Sequence, residues 1–301
     1  MPALGLMVEG QLGLTWERWA RLLDAAENLG FDSVFRSDHY TTGAPQESLE
    51  TFISLAYAAD HTRRIEFGSL VAPVTFRQPA LTAKMGAQID DLSNGRLVLG
   101  LGAGWNESEH REFGIPFYTK KTRFDMFEEA LELTELLFNH DEPVSFQGKH
   151  FTLDGATLLP RPKRSGGPPI LIGGGGKQRT LPLAARYADE WNVPFVSPEK
   201  YRELNDHLTG LLQERGRDPK SVKRSIMTQL IIGKTEAEVR ARSADHKEPD
   251  KVIIGTPSEV VDRIGAYAEA GVERFMLQWL DLDDIDGIEL TARDVLPHFH
   301  R

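Results

Sequence analysis

"IEFGSLVAPVTFRQPALTAKMGAQIDDLSNGRLVLGLGAG", residues 65–104, contains the unit on which the fold turns. An apolar run at 65–74 reads as a strand. The segment 79–93, opened by Pro79, has apolar residues at helical spacing. A second apolar run follows at 95–104. Both runs are continuous rather than alternating, the pattern of strands buried on both faces. Strand, helix and strand in that order make a parallel pair with a helical crossover.

The same rhythm extends in both directions. Toward the N-terminus lie a strand at 4–10, a helix at 15–30 capped by Thr15 and stopped by Gly30, a strand at 31–39 and a helix at 48–62. Toward the C-terminus come a helix at 122–139 and then strands at 168–176, 190–196, 223–233 and 273–279. Helices at 178–189, 198–216, 257–271 and 288–297 follow them. Eight strands, each followed by a helix, predict an α/β fold, a closed (β/α)8 TIM barrel. Two segments break the pattern. Residues 143–163 alternate apolar and polar around Gly148 and read as a β-hairpin insertion. The polar stretch 235–251 reads as a solvated surface helix, with a mobile lid as the alternative. No linker-like segment divides the chain, so one domain is expected over 1–301.

Composition fits this picture. The chain has 301 residues, 40% hydrophobic and 27% charged, with a net charge of -10. It has no long basic run, which argues against a nucleic-acid partner. Without cysteine there are no disulfides, thiolate nucleophiles or thiolate metal ligands. The N-terminus lacks a basic signal-peptide region, and no apolar run reaches membrane-spanning length, so a cytoplasmic protein with no membrane partner is expected.

In such barrels the chemistry gathers at the C-terminal ends of the strands. That rule delivers Glu9, Asp38, His39, Gly104, Trp105, Trp191, Gln278 and Trp279, with the glycine run 173–176. In "ILIGGGGKQRT" (170–180) a buried strand meets four glycines and then a helix start. Free backbone N–H groups and the positive helix end suit a phosphate, and Lys177 adds charge. It is not a Walker loop, because no Gly-Lys-Ser/Thr follows. His39 is the acid/base candidate, with Asp38 to orient it. "GLGAGWNESEH" (100–110) matches neither a dinucleotide fingerprint nor a metal-binding spacing. Its small residues at 102–104 read as clearance at the strand end, walled by Trp105. No metal is expected.

Residues 69–117 resemble the luciferase-like monooxygenase superfamily, as do "SDHY" (37–40), 168–192 and 255–277. Within it the chain looks most like the F420-dependent oxidoreductases. The resemblance implies hydride transfer between the deazaflavin coenzyme F420 and a small organic substrate. The alternative is an FMN-dependent, oxygen-using monooxygenase fed by a separate cofactor reductase. A non-catalytic flavin or deazaflavin carrier is a third reading. For the site, the resemblance implies phosphate at Gly173, Gly174, Gly175, Gly176 and Lys177. The ring would lie near Asp38, Ser69, Leu70, Ala72, Gly104 and Trp105, braced by a non-prolyl cis peptide at Ser69–Leu70. Glu9, Trp105, Trp191, Gln278 and Trp279 would surround the substrate. A homodimer is implied as well. In the sugar-phosphate dehydrogenases of this group a glutamate stands where this chain has Trp105, so glucose-6-phosphate is not the expected substrate. Glu9, Glu107 and Glu109 are the nearby carboxylates that could substitute.

Overall fold

A computed structural model describes residues 1–244 and 249–299. Eight parallel strands close into a barrel: β1 (Ala3–Val8), β2 (Ser33–Arg36), β3 (Glu66–Ser69) continued by β4 (Ala72–Pro73), β5 (Leu97–Gly102), β8 (Ile170–Gly173), β9 (Glu190–Pro194), β10 (Lys223–Ile232) and β12 (Arg274–Trp279). Pairing of β1 with β12 closes the ring, with Ala3 opposite Arg274 and Val8 opposite Trp279. This is the TIM barrel expected from the repeated βα units.

The helices surround it: α1 (Trp16–Leu29), α2 (Thr51–His61), α3 (Pro79–Leu92), α4 (Glu107–Glu112), α5 (Lys120–Asn139), α6 (Thr180–Tyr187), α7 (Pro198–Glu214), α8 (Glu236–Ser243), α9 (Pro257–Glu269) and α10 (Ile285–Asp294). Their limits follow local chemistry. The Thr15 hydroxyl accepts the Arg18 N–H at 3.3 Å and Gly30 ends α1 at φ 95°. Thr256 and Glu259 form a capping box at the start of α9. The buried face of α1, Trp19, Leu22, Leu23 and Ala26, repeats at three and four residues. Burying each of its large side chains contributes roughly 1.5–3 kcal/mol.

The hairpin insertion is β6 (Val144–Gln147) paired antiparallel with β7 (Thr152–Ala156). It is tied to α5 through Glu129, whose carboxylate accepts the N–H groups of Lys149, His150 and Phe151 at 2.8–3.1 Å. One strand was not foreseen. β11 (Ile253–Gly255) lies beside the far end of β10, with Leu230 opposite Ile253. Three residues are too few to show a period in sequence. α8 is a largely exposed helix, as read for the start of 235–251; residues 245–248 of that segment lie outside those described. No described helix is long and apolar enough to cross a membrane.

Strand parity decides what faces the barrel axis. Met7, Phe35, Val98, Leu171 and Met276 form a small cluster inside the barrel, separate from the larger core under the helices. Below them lies a charged layer. Arg274 Nη1 is 3.3 Å from Glu190 Oε2, and its Nη2 donates to Glu66.

Candidate active site

Above the apolar plug, at the C-terminal ends of the strands, opens a cavity of about 480 Å3. Met7, Glu9, His39, Leu70, Trp105 and Met227 are among its walls. A second cleft of about 560 Å3 opens near Pro169 and Asp189, which precede β8 and β9. That is the opposite end of the barrel, where conserved roles in this architecture concern stability rather than chemistry.

His39 follows β2 and lines the cavity. Its Nδ1 donates to Glu109 Oε1 at 2.8 Å. Among the described residues its Nε2 has no hydrogen-bond partner. Glu109 sits on the short helix α4, started by Asn106, whose side chain accepts the Ser108 N–H at 3.2 Å. Only 1% of Glu109 is exposed, and its other oxygen accepts the Tyr40 N–H at 3.0 Å. Burial disfavours the imidazolium of His39, but the hydrogen bond and charge of Glu109, with the charges of Glu9 and Asp38, outweigh it. The His39 pKa is raised above its ordinary value. Glu109 was legible only as a possible substitute acid, because its contact with His39 spans 70 residues.

Asp38 does not orient His39. Alternation along the strand end turns Asp38 away from the cavity that Ser37 and His39 line. It is bound there by Arg77, at 2.5 Å and 3.1 Å, and Arg77 also binds Glu50. The same parity removes two expected pocket residues. Trp191 is buried outside the barrel wall, its Nε1 donating to Gly174 O at 2.9 Å and its ring against Tyr201. Trp279 packs toward Gly287. Their inward neighbours are Asn192, which lines the cavity, and Gln278, whose Nε2 donates to Glu9 Oε1 at 2.6 Å. Trp105 does wall the cavity. It is 69% exposed, with its ring edge-on to His39 at 5.5 Å.

The bulge after β3 differs from expectation in detail. The non-prolyl cis bond is Leu70–Val71, not Ser69–Leu70. The Leu70 N–H still donates to Arg36 O at 2.8 Å, so the ladder holds through Ser69–Leu70 and the chain turns one peptide later. Leu70 lines the cavity, but Ser69 is bonded to Gly100 O and Ala72 faces away, next to Pro73, which points in. The glycines of β5 mainly serve this bulge. A Cβ on Gly100 would lie 2.0 Å from Ser69 O, and one on Gly102 would lie 2.6 Å from the Val71 side chain. The clearance read from sequence is thus largely filled by protein. Gly102 and Gly104 still reach the cavity wall.

The glycine run splits in two. Gly173 and Gly174 line the cavity, whereas Gly175 packs against Leu204 and Val193, and Gly176 against Thr180. Gly174, at φ 119°, gives its N–H to Asn192 O at 2.7 Å. Lys177 is turned to Glu203, 2.6 Å away, and does not line the cavity. Two cations that sequence reading missed do line it. Lys120 has no ion-pair partner among the described residues. Arg123 is buried and donates only to backbone, to Gly104 O at 3.1 Å and to Tyr118 O. Burial lowers the Arg123 pKa from its ordinary value. Helix α5 starts at Lys120, two residues before the start read from sequence, so Lys120 fell outside the helix and Arg123 carried no signal of its own. Among the described residues no cluster of three or more His, Asp or Glu is arranged to hold a metal.

The family profile described as luciferase-like monooxygenase matches residues 5–253. An F420-dependent glucose-6-phosphate dehydrogenase of Intrasporangium calvum is 28% identical, the alignment covering 90% of this chain and 91% of the relative. A 4-hydroxyprotoasukamycin monooxygenase of Streptomyces nodosus subsp. asukaensis is 26% identical over 96% of this chain and 88% of its own. Among solved structures, the coenzyme F420-dependent tetrahydromethanopterin reductase of Methanopyrus kandleri superposes with a TM-score of 0.83 at 21% identity, covering 99% of both chains. With the family profile spanning most of the barrel, this chain belongs to the luciferase-like monooxygenase family.

Proposed function

We propose that the protein is an oxidoreductase that transfers hydride between bound coenzyme F420 and a small organic substrate. The observation that carries this reading is the His39–Glu109 pair on the cavity wall, with Nε2 of His39 left free. Hydride transfer to a carbonyl, or from an alcohol, also moves one proton. A histidine with one nitrogen fixed by a buried carboxylate can hold that proton at the other. When bound, the deazaflavin supplies the carbon that gives or takes the hydride.

The residues present fit such a group. Lys120 and Arg123, which form no ion pair among the described residues, stand at the β5–α5 side of the cavity, beside the glycine backbone that ends β8. The N–H groups of Gly175 and Gly176 have no hydrogen-bond acceptor among the described residues. The cations on the wall and the N–H groups of the adjoining loop are the donors we would assign to a phosphate. Leu70, Val71 and Pro73 offer the apolar wall for a ring. His39 would face the substrate side.

A second reading, an FMN- and oxygen-dependent monooxygenase with a separate reductase, is supported by the named activity of the Streptomyces relative. Titration of the purified protein with F420 and with FMN, followed by fluorescence, separates the two. Tight F420 binding is the expected result. Tight binding of FMN alone overturns the F420 reading. Binding of either without turnover on a broad panel of alcohols and ketones favours a carrier.

A further inference from the structure

On the far side of the cavity from the cations stands a carboxylate that no ion pair accounts for. Going round the barrel, β1 is four strands from β8, so Glu9, just beyond β1, lies across the mouth from Gly173 and Gly174. Its Oε1 accepts the Gln278 amide at 2.6 Å, and its Oε2 accepts the Gln11 amide at 2.8 Å. The orientation of Gln11 is itself fixed. Its Oε1 accepts the Ser37 hydroxyl proton at 2.7 Å, and Ser37 Oγ accepts the Gly10 N–H at 3.0 Å. The amide NH2 of Gln11 is therefore turned to Glu9.

This arrangement holds the carboxylate still without neutralising it. Both partners are uncharged amides, and no Lys, Arg or His forms an ion pair with Glu9 among the described residues. Each carboxylate oxygen retains a lone pair, since a carboxylate offers about four acceptor directions and two are used. At the floor of the same barrel the buried Glu190 and the partly exposed Glu66 share the Arg274 guanidinium, which is how a structural acid is compensated here. Glu9 instead lines the cavity, among the apolar surfaces of Met7, Leu70, Trp105, Phe195 and Met227. An acceptor site with negative charge, surrounded by apolar walls, is complementary to one kind of guest.

We propose that Glu9 is a specificity-determining residue, which selects substrates carrying a hydroxyl or protonated amino group on an apolar body and rejects anionic ones. The inference rests on the proposed function, because it takes the opposite side of the cavity to be occupied by the coenzyme phosphate. Gln11 and Gln278 are positioning residues that present the carboxylate.

The test is a series with one shared ring: benzyl alcohol, benzylamine, benzyl methyl ether and benzoate. Binding is measured by calorimetry and by the shift in Tm, with and without saturating F420 or FMN. Benzyl alcohol and benzylamine are expected to bind at least about fivefold tighter than the ether, which lacks a donor, with benzoate weakest. In Glu9→Gln the advantage of benzylamine disappears and benzoate gains. Benzoate binding as tightly as the alcohol overturns the proposal. So do ratios that are the same in Glu9→Gln, or no binding of either donor compound at tens of millimolar. If Glu9→Gln does not fold, the order among the four compounds in the wild-type protein decides. Failure of both F420 and FMN to bind sinks the functional reading separately, since the ligand order is also measured without coenzyme.

Discussion

The two ends of this barrel both hold buried charge, and they treat it differently. At the floor, Glu190 and Glu66 share the single charge of Arg274, and Glu190 Oε1 and Arg274 Nε keep no hydrogen-bond partner among the described residues. Burial pushes the Glu190 carboxyl above its ordinary pKa, and the Arg274 charge pulls part of that back. At the mouth, Glu109 and Glu9 are held mostly by N–H donors, and each leaves something free to act: His39 Nε2 in one case, carboxylate lone pairs in the other. The floor's charges are bound to one another inside the wall, so removing one partner strands the other. The mouth's charges turn their remaining polar capacity to an open cavity, which the floor's do not, and that is what a binding and reacting surface requires. The contrast predicts that substitutions at the two ends act on different observables.

The largest effect is expected at the mouth. His39→Gln, which keeps an N–H donor for the buried Glu109, should lower kcat about a hundredfold or more, in the range of lost general acid/base catalysis, while F420 affinity and Tm stay near wild type. Unchanged turnover would remove His39 from the mechanism. Arg274→Met does the reverse. It strands Glu190 and should cost about 3–5 kcal/mol of unfolding free energy, measured in urea, with kcat per folded molecule unchanged. A large loss of kcat at native stability would break the division between floor and mouth.

A smaller change sharpens it. The raised pKa of His39 depends on Glu109, so Glu109→Gln should move the His39 limb of the kcat/KM profile to lower pH, whichever direction of hydride transfer is assayed. Stability follows the same linkage. A group whose pKa is raised on folding contributes fully below its unfolded value, near 6.5 for histidine, and loses that contribution as pH rises through the folded value. The stability gap between wild type and Glu109→Gln is therefore widest at acid pH and narrows as pH rises. A gap constant across this range would mean that Glu109 acts only as a structural acceptor.

The barrel was legible because its signals are local. Thr15, Gly30 and Pro79 mark helix limits within a few residues, and unbroken apolar runs mark buried strands. The place of the site followed from the architecture, and His39 and Glu9 from their positions at strand ends. What sequence could not fix was which side of the wall each strand-end residue faces. A one-residue uncertainty in the strand limit exchanges Trp191 for Asn192 and Trp279 for Gln278. The Glu109 contact was hidden for another reason. It joins the segment after β2 to helix α4, 70 residues away, and no periodicity encodes such a pair. Counting by two from Met276, a plug residue on the same strand, recovers Gln278; Asn192 follows only from its pairing with Gly173, and Glu109 from neither.

The smallest effect tests that lesson at the glycine loop. Lys177 follows four glycines and precedes a helix, so sequence alone assigns it to an anion. Yet it is paired with Glu203, which also binds Lys200 at 2.7 Å, and the two lysines draw the Glu203 pKa down to about 2. All three side chains are substantially exposed, where solvent and salt screen such pairs and they contribute little. Lys177→Ala should accordingly leave F420 affinity within about twofold of wild type and Tm nearly unchanged. Lys120→Ala, which removes a cation on the cavity wall, should weaken F420 by about fivefold, the scale of one partly screened charge-assisted contact. If the two variants exchange these outcomes, Lys177 leaves Glu203 when coenzyme binds, and the sequence reading of the loop was the better guide to the bound state.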